Sequence, residues 1–417
     1  MGWEVKDDLT EEELKRGLRG VTLDGLASKA TLSLTSGAFL VAFGLLLGAD
    51  NQEIGVLAAI PFLTQWMQLP TVYLIEKMRI RRPISAYAAL VGRSCFLAAA
   101  IIPFVVRTEW QVTAIIGVLA LRGVFAAVSQ CAWSSWMRDL VPFSQRGTFY
   151  AKRMSLAALL GMALSLLAGF YLDWFKGGYP QHEVLSYSLL FALAFVIGIA
   201  NVVVIARIPE PRMKPNGSRM FELLLRPFRD ANFRNLMKFL VPWNFAINLA
   251  TPFFAVYMLR SMKMDMTSVM ALSVLSQLAN VAMLRIWGRF MDRFSNKSVL
   301  NVCAPLFIVS IFLWIFVLHD GRHMLTVPLL IILHVSMGVA MAGTVLGTSN
   351  LAIGLSPKEA ASSYLASSNL ANSLAAGIAP VIGGTFADFF AERKLTLILK
   401  WTTPLTEKSF QTFKLHH

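Results

Sequence analysis

Two arginines lie deep inside apolar stretches of the chain. Arg93 stands about nine residues into one stretch and Arg122 about twelve residues into the next, so at about 1.5 Å per helical residue both are expected near the middle of a membrane. A charge in hydrocarbon costs several kcal/mol, which makes each a candidate functional residue. Because carboxylates are scarce at this depth, the pair predicts an anionic ligand such as a carboxylate or phosphate ester. The alternative is that each arginine bonds to helix carbonyls or extends to the membrane surface.

One carboxylate and several neutral polar side chains could complete such a site. Asp24 begins the first apolar stretch about one turn before Lys29, and the two are expected to pair. Asn244 and Asn248, spaced i, i+4, share one helix face. Polar groups inside membrane helices also act as contacts between helices, and a lone histidine can be a proton carrier or a packing residue. Each remaining candidate therefore has two interpretations, a role in the binding site and a role in helix packing. These candidates are His334, Gln277, Asn280, Gln65, Gln68, Asn369 and Asn372.

The composition places these residues in a membrane protein. Hydrophobic residues make up 56% of the 417 residues and charged residues 15%, whereas a soluble domain carries about a quarter charged residues. The net charge of +14 falls in short clusters between apolar runs, which is typical of membrane topology and not of nucleic-acid binding. The three cysteines lack metal-ligand spacing, so no metal site or cofactor is expected.

Eleven apolar stretches are long enough to be membrane spans of about 20 residues. They lie at about 22–48, 53–75, 84–106, 110–136, 150–172, 184–206, 233–259, 267–287, 298–318, 325–353 and 361–390. Ahead of them, Thr10-x-x-Glu13 is a capping box that predicts a short amphipathic helix in the N-terminal segment 1–20.

The basic residues predict the orientation of the spans. They concentrate at the N-terminus and in the loops after even-numbered spans, so these are expected on the cytoplasmic side. The residues concerned include Lys15, Arg16, Arg19, Lys77, Arg79, Arg81, Arg82, Arg138, Arg146, Lys152, Arg153, Arg207, Arg212, Arg289, Arg293 and Lys297.

Residue pairs at a constant separation indicate an internal duplication. Asp50 and Asp265, Gly169 and Gly384, and Asp173 and Asp388 are each 215 residues apart (388 − 173 = 215). The repeat predicts an N-terminal bundle over 1–206, a cytoplasmic connection over 207–232 and a C-terminal bundle over 233–417. It also predicts a twelfth span near residue 399, where the sequence is polar, so a chain that stops before its last span is favoured over one with eleven.

The loops after spans eight and two carry a glycine, acid and base motif. The loop after span eight, Gly288 to Lys297, reads G-R-F-M-D-R-F-S-N-K. It resembles the pattern G-x-x-x-D-R-x-G-R/K-R/K of the major facilitator superfamily, with Ser295 replacing the second glycine. The loop after span two is a degraded copy without either glycine. The resemblance implies an all-α membrane fold of two six-helix bundles. It also implies a conformational latch in which an acid at a helix end pairs with a base on a neighbouring helix; its residues are Glu76, Arg81, Gly288, Asp292, Arg293 and Lys297.

Span eleven carries a second family-like element. Gly377-Ile378-Ala379-Pro380-Val381-Ile382-Gly383-Gly384 is similar to the family's G-x-G-P-x-x-G-G element, which in some exporters lies in span five. Glycines let helices approach closely, and a proline removes one backbone hydrogen bond, so Gly377, Pro380, Gly383 and Gly384 are expected to form a helix-bend motif.

The family resemblance implies secondary active transport of a small solute by alternating access across the cytoplasmic (inner) membrane. H⁺ or Na⁺ is the expected coupling ion, and membrane lipid the only other expected partner of a monomeric chain. One alternative is a proton-coupled exporter of amphipathic drugs or lipids. Another is a receptor or assembly factor that reuses the fold without transport. An enzyme is disfavoured because no cluster of histidine or aspartate occurs, and nucleotide-driven pumping because no G-x-x-x-x-G-K-S/T loop occurs.

Overall fold

The computed structural model describes residues 5–6, 9–213, 227–317, 325–356, 361–391, 395–400 and 410–415. Thirteen α-helices dominate these residues. They are α1 Glu11–Thr35, α2 Ala38–Leu46, α3 Asn51–Leu63, α4 Gln68–Met78, α5 Arg82–Val105, α6 Thr108–Leu140, α7 Arg146–Gly178, α8 Glu183–Arg207, α9 Ala231–Val256, α10 Met266–Arg293, α11 Asn296–Leu313, α12 Thr326–Gly354 and α13 Ala361–Ala391.

Short strands and irregular turns complete the described chain. The strands β1 Val5–Lys6 and β2 Glu210–Pro211 pair in parallel, whereas β3 Leu395–Lys400 and β4 Phe410–Leu415 pair antiparallel. A π-helical turn, Tyr257–Ser261, continues α9.

The prediction of eleven apolar spans is wrong by one. In the described residues, ten helical segments are long and apolar enough to cross a membrane, and the stretch at 53–75 is not among them. That stretch forms α3 and α4, joined by a 3₁₀ turn at Thr64–Met67 that carries Gln65 and is followed by Gln68. Both glutamines line a cavity between the helices, which explains the lower hydropathy of this segment.

The first span also differs from its prediction. The capping box of Thr10 and Glu13 is confirmed, but α1 runs unbroken from Glu11 to Thr35, so no separate amphipathic helix exists there. The span then breaks at Ser36–Gly37. Gly37 has a φ of 61°, a backbone conformation that a residue with a Cβ rarely adopts, and α2 starts directly after it.

The helices divide into an N half, α1–α8, and a C half, α9–α13. Within the N half, α5 packs on α6 and α8, and α1 packs on α7 and α8; within the C half, α12 packs on α10 and α11. Two pairs of helices make the main contacts between the halves, α3 with α13 and α7 with α10, and α2 also packs on α9. The largest apolar cluster is continuous across them, since it includes Phe43 and Phe96 of the N half and Val269 and Leu333 of the C half.

Small residues permit the close contact between the halves. A Cβ at Gly384 of α13 would lie 2.3 Å from the carbonyl oxygen of Asn51, and one at Gly55 of α3 would lie 2.2 Å from that of Pro380. In the second pair of helices, a Cβ at Gly169 would lie 3.3 Å from the Met266 carbonyl oxygen. Both interfaces therefore depend on backbones that approach without side chains between them.

We expect Gly384→Ala to destabilise this arrangement by about 1–3 kcal/mol, because its methyl group meets backbone that has no room to yield. The measurement is the thermal unfolding midpoint of the purified protein. Gly117→Ala is the matched control, since nothing lies within 4 Å of a Cβ at that position of α6. Equal midpoints for the two variants would contradict the close contact between α3 and α13.

Candidate functional site

A cavity of about 1000 Å³ lies between the N half and the C half. Helices α3, α4 and α6 form one wall, and α9, α12 and α13 the other. Its polar lining residues are Gln65, Gln68, Ser134 and Ser135 on the N-half side, and Asn244, Thr348, Ser349, Ser368, Asn369, Asn372 and Ser373 on the C-half side. A ligand in this central cavity would be held by both halves at once.

The central cavity reaches the end of the bundle where α4, α6 and α12 end. Glu76, Arg138 and Ile353, each within a few residues of those helix ends, belong to its lining. Glu76 and Arg138 are the two charged side chains among the described residues that line it. Amide and hydroxyl groups therefore dominate the chemistry deeper in the central cavity, and these groups suit hydrogen bonding to a polar ligand.

The polar residues predicted in the spans separate into two groups. Asn244 lines the central cavity, as do Gln65, Gln68, Asn369 and Asn372. Asn248, one turn beyond Asn244, is not in that lining and donates its amide hydrogen to the Asn244 carbonyl oxygen at 2.8 Å.

Three further candidates act as contacts within the C half. His334 is buried, lies 2.8 Å from the Leu330 carbonyl oxygen through Nδ1 and packs on the ring of Trp314. Asn280 donates to the Gly338 carbonyl oxygen at 3.3 Å and so connects α10 to α12. Gln277 donates to Ser273 of its own helix at 3.5 Å. None of the three lines the central cavity.

Arg93 and Arg122 line a different cavity, of about 260 Å³, inside the N half. We call it the N-half cavity. Arg93 donates through its two terminal nitrogens to the hydroxyls of Thr31 at 2.8 Å and Ser28 at 3.0 Å. The guanidinium of Arg122 lies 4.6 Å from the centre of the Phe96 ring. Neither arginine belongs to the lining of the central cavity.

Asp24 also lines the N-half cavity, and its predicted pairing with Lys29 is wrong. Its carboxylate accepts a hydrogen bond from Arg153 of α7 at 3.2 Å and another from Asn201 of α8 at 3.2 Å. Five residues correspond to about 500° of helical rotation, so Lys29 lies on another face of α1 from Asp24. There it approaches Gly161 of α7.

Two carboxylates close the end of the bundle opposite the mouth of the central cavity. Asp388 of the C half accepts hydrogen bonds from the backbone amides of Asn51 at 3.3 Å and Gln52 at 2.9 Å, at the start of α3. Asp173 of the N half accepts bonds from the amides of Met266 at 2.9 Å and Thr267 at 2.7 Å, at the start of α10. The first amides of a helix have no hydrogen-bond partner within it, and the helix N-terminus favours a negative charge. Each carboxylate therefore supplies both a hydrogen-bond acceptor and a negative charge.

The first copy of the predicted latch is assembled around Arg81, at the end of the N half. Arg81 is fully buried and donates to Asp139 at the end of α6, to Glu210 at 3.3 Å and to the carbonyl oxygen of Ser135 at 3.1 Å. The base of the motif thus pairs with one acid on α6 of its own half and with another, Glu210, on the connection that follows α8. Glu76, the predicted acid, makes no ion pair among the described residues and lines the mouth of the central cavity instead.

The second copy, which resembles the family pattern better, is exposed. Asp292, Arg293 and Lys297 all face solvent, and Arg293 lies over the ring of its neighbour Phe294. A Cβ at Gly288 would meet only the end of a leucine side chain at 3.9 Å. The counterpart of Asp139 in the repeat is Gly354 (139 + 215 = 354), so this copy lacks the acid that holds Arg81.

The glycines of the predicted bend motif face neighbouring helices at close range. A Cβ at Gly377 would lie 2.5 Å from the side chain of Leu63, and one at Gly383 would lie 2.3 Å from the Leu249 carbonyl oxygen of α9. With Gly384 and Pro380, these residues place α13 between α3 of the N half and α9 of its own half.

The sequence of this two-half protein matches a known family. The family model of the Major Facilitator Superfamily matches residues 26–380. The chain belongs to the major facilitator superfamily. This confirms the resemblance seen in the sequence motifs. Among functionally curated proteins, none matches the chain in sequence.

Solved structures of transporters share the fold of this superfamily member. The nucleoside transporter NupG is 12% identical, with a TM-score of 0.68, and the match covers 91% of this chain and 92% of that chain. An inward-facing bacterial homologue of ferroportin is 14% identical, with a TM-score of 0.65, covering 90% and 92%. The inward-open xylose transporter XylE from E. coli is 13% identical, with a TM-score of 0.61, covering 89% and 88%. At these identities the likeness concerns the fold.

Sequence reasoning missed the residues that join the two halves. The repeat relates Asp173 to Asp388 but does not by itself show that each binds the N-terminus of a helix. The signal is present, because each follows a repeat-related glycine by four residues, Gly169 and Gly384. Arg153 was assigned to topology alone, although its guanidinium binds Asp24.

We expect neutralisation of Asp173 and Asp388 to open the end of the bundle that they close. Asn in place of either keeps the shape and loses charge-assisted hydrogen bonds worth about 2 kcal/mol, which shifts the ratio of open to closed molecules by a factor of about 30. The double variant should open further. Spin labels at Gly177 and Lys263 in a cysteine-free background report the distance across this end by double electron–electron resonance.

Glu183→Gln is the matched control for this change of charge. Glu183 lies near the same end and pairs with Lys176 at 3.0 Å, but both residues belong to the N half. Its distance distribution should equal that of the parent protein. An unchanged distribution in the double Asn variant would show that the two carboxylates do not hold this end closed.

Proposed function

We propose that this chain is a secondary active transporter that carries a small polar solute across the cytoplasmic membrane by alternating access. The central cavity supports this proposal, because both halves line it and it is closed at one end and accessible at the other. A site between two halves that rock against each other is the arrangement that alternating access requires. Membership of a family of membrane transporters supports the same conclusion.

The orientation follows from the basic residues near the mouth of the central cavity. Arg79, Arg138, Arg207 and Arg293 lie at the helix ends on that side, and clusters of arginine and lysine favour the cytoplasmic face. We therefore place the N-terminus and the mouth of the central cavity in the cytoplasm, which makes this an inward-facing state. A monomer suffices for transport, since both halves lie in one chain.

The lining of the central cavity favours a neutral solute rich in hydroxyl or amide groups. The sequence predicted an anionic organic substrate from Arg93 and Arg122, but both arginines lie in the N-half cavity. The deep part of the central cavity offers the amides of Gln65 and Gln68 from the N half and of Asn369 and Asn372 from the C half. Such groups both donate and accept hydrogen bonds, as a polar uncharged solute requires.

Asp24 is the proposed carrier of a coupling proton. It is the carboxylate in the lining of the N-half cavity, and its partners come from other helices, Arg153 of α7 and Asn201 of α8. A proton on Asp24 would remove its attraction for Arg153 and so change how α1 and α7 pack. Ionisable residues inside membrane bundles commonly belong to proton relays or substrate pathways.

Because Asn244 lines the central cavity and Asn248 does not, we expect the binding of a solute to depend on Asn244 and not on Asn248. A solute at about 100 times its dissociation constant stabilises the protein by about 2.7 kcal/mol. Loss of one hydrogen bond in Asn244→Ala should weaken binding by about 1 kcal/mol. The measurement is a thermal-shift screen of the purified protein against sugars, nucleosides, carboxylates, phosphate esters and amphipathic drugs.

Asn248→Ala is the control, because the same amide on the same helix lies outside the cavity lining. Stabilisation by carboxylates or phosphate esters alone would support the anionic substrate that the sequence predicts. A response only to amphipathic compounds would favour the drug or lipid exporter. If a solute binds but no uptake into proteoliposomes follows, the protein is a receptor that reuses the fold.

We expect Asp24→Asn to separate solute movement from proton movement. In proteoliposomes, a pH gradient should drive accumulation of the solute in the parent protein, whereas the variant, with no group to titrate, should lose accumulation. Exchange of labelled for unlabelled solute needs no net proton movement and should persist. Accumulation at the parental level in the variant would exclude Asp24 as the proton carrier.

A further inference from the structure

The N-half cavity is separate from the central cavity in which the solute is proposed to bind. Its lining comes from α1, α5, α6, α7 and α8, all in the N half, whereas the lining of the central cavity comes from both halves. Helix α6 separates the two, with Arg122, Ala126 and Ser129 in one lining and Cys131, Ser134 and Arg138 in the other. A ligand in the N-half cavity would therefore contact one half only.

The lining of the N-half cavity carries an excess of positive charge. Arg93, Arg122 and Arg153 contribute three positive charges and Asp24 one negative charge, so two positive charges are not compensated (3 − 1 = 2). The carboxylate of Asp24 is already engaged by Arg153 and Asn201. Uncompensated charge within a bundle is costly, and a bound counter-ion is the direct means of offsetting it.

Arg122 is the least satisfied member of the group. Among the described residues its guanidinium has no hydrogen bond and no ion pair, and its contact is the face of the Phe96 ring at 4.6 Å. It stands fourteen residues after the start of α6 and eighteen before its end (122 − 108 = 14; 140 − 122 = 18). Those distances are about 21 Å and about 27 Å along the helix, so Arg122 stands near the middle of α6.

The geometry also limits what could bind. A cavity of about 260 Å³ has room for several water molecules of about 30 Å³ each, and so for a ligand of a few heavy atoms. A guanidinium presents its N–H groups as a planar fork that matches the two oxygens of a carboxylate or phosphate. Ser129 and Gln130, also in the lining, supply neutral polar groups beside it.

We propose that the N-half cavity is a binding site for one small oxyanion, held by Arg122 with Arg93 beside it. The anion neutralises the buried cluster and so stabilises the N half. It is distinct from the solute of the central cavity, and its binding requires no transport. This goes beyond the proposed function, because the site remains even if the transported solute is of another class.

The test uses the full chain purified in detergent, without solute, in a buffer whose only anion is a sulfonate too large for the cavity. Acetate, phosphate and chloride are titrated separately at constant ionic strength while the unfolding midpoint is followed. Acetate or phosphate should raise the midpoint to a plateau, and labelled acetate in equilibrium dialysis should bind with a stoichiometry of one. Arg122→Gln should weaken this binding at least tenfold.

Arg138→Gln is the matched control, because Arg138 lies on the same helix but lines the central cavity. It should respond to the oxyanions as the parent does. Arg122→Met removes the unpaired charge and keeps an apolar side chain, so without anion it should unfold at a higher temperature than the parent. That variant gives a result even if the glutamine variant folds poorly.

Several results would overturn the proposal. They are no response of the parent to any anion, an equal response in Arg122→Gln, or a response to chloride alone, which would make this a halide site. Competition between the oxyanion and a solute that depends on Asn244 would show that the two cavities are one site. A negative result here leaves the Asn244 experiment unaffected, so the two proposals fail separately.

Discussion

The contact between a carboxylate and the first amides of a helix, made twice across the two halves, joins them at the end opposite the mouth of the central cavity. Asp388 binds the start of α3, and Asp173 binds the start of α10. In each case a glycine one turn earlier lets the backbones approach. The amides have no partner within their own helix, and the carboxylate carries the charge that the helix terminus favours. These contacts hold one end closed, so the space between the halves extends to the other end.

The position of the cavities separates two kinds of chemistry. The central cavity between the halves has a largely neutral lining, and its charged side chains stand at the mouth. The charged cluster of Asp24, Arg93, Arg122 and Arg153 lies inside the N half, away from that space. A solute can thus be exchanged with water without exposing the cluster. An ion or proton in the N half would act on the solute through the packing of α1, α6 and α7.

The two copies of the family motif illustrate why a motif alone does not assign a role. The copy around Arg81 has lost its glycines, yet the arginine is fully buried and bonded to Asp139 and Glu210. The copy around Asp292 keeps the pattern and is exposed. The difference lies in the partners, which are remote in sequence. Asp139 has a glycine as its counterpart in the second half, and only the folded chain shows that this position matters.

The sequence by itself determined the helical membrane fold, most of its spans and the family, because hydropathy and motif are local properties of the chain. It also identified Arg93, Arg122 and Asn244 as unusual. Only the tertiary structure decided which cavity each of them lines and that Asp24 binds Arg153 in place of Lys29. The physical reason is that a polar group in a bundle takes its partner from whichever helix lies against it. That choice depends on the rotation and approach of helices, which no pattern along a single helix records.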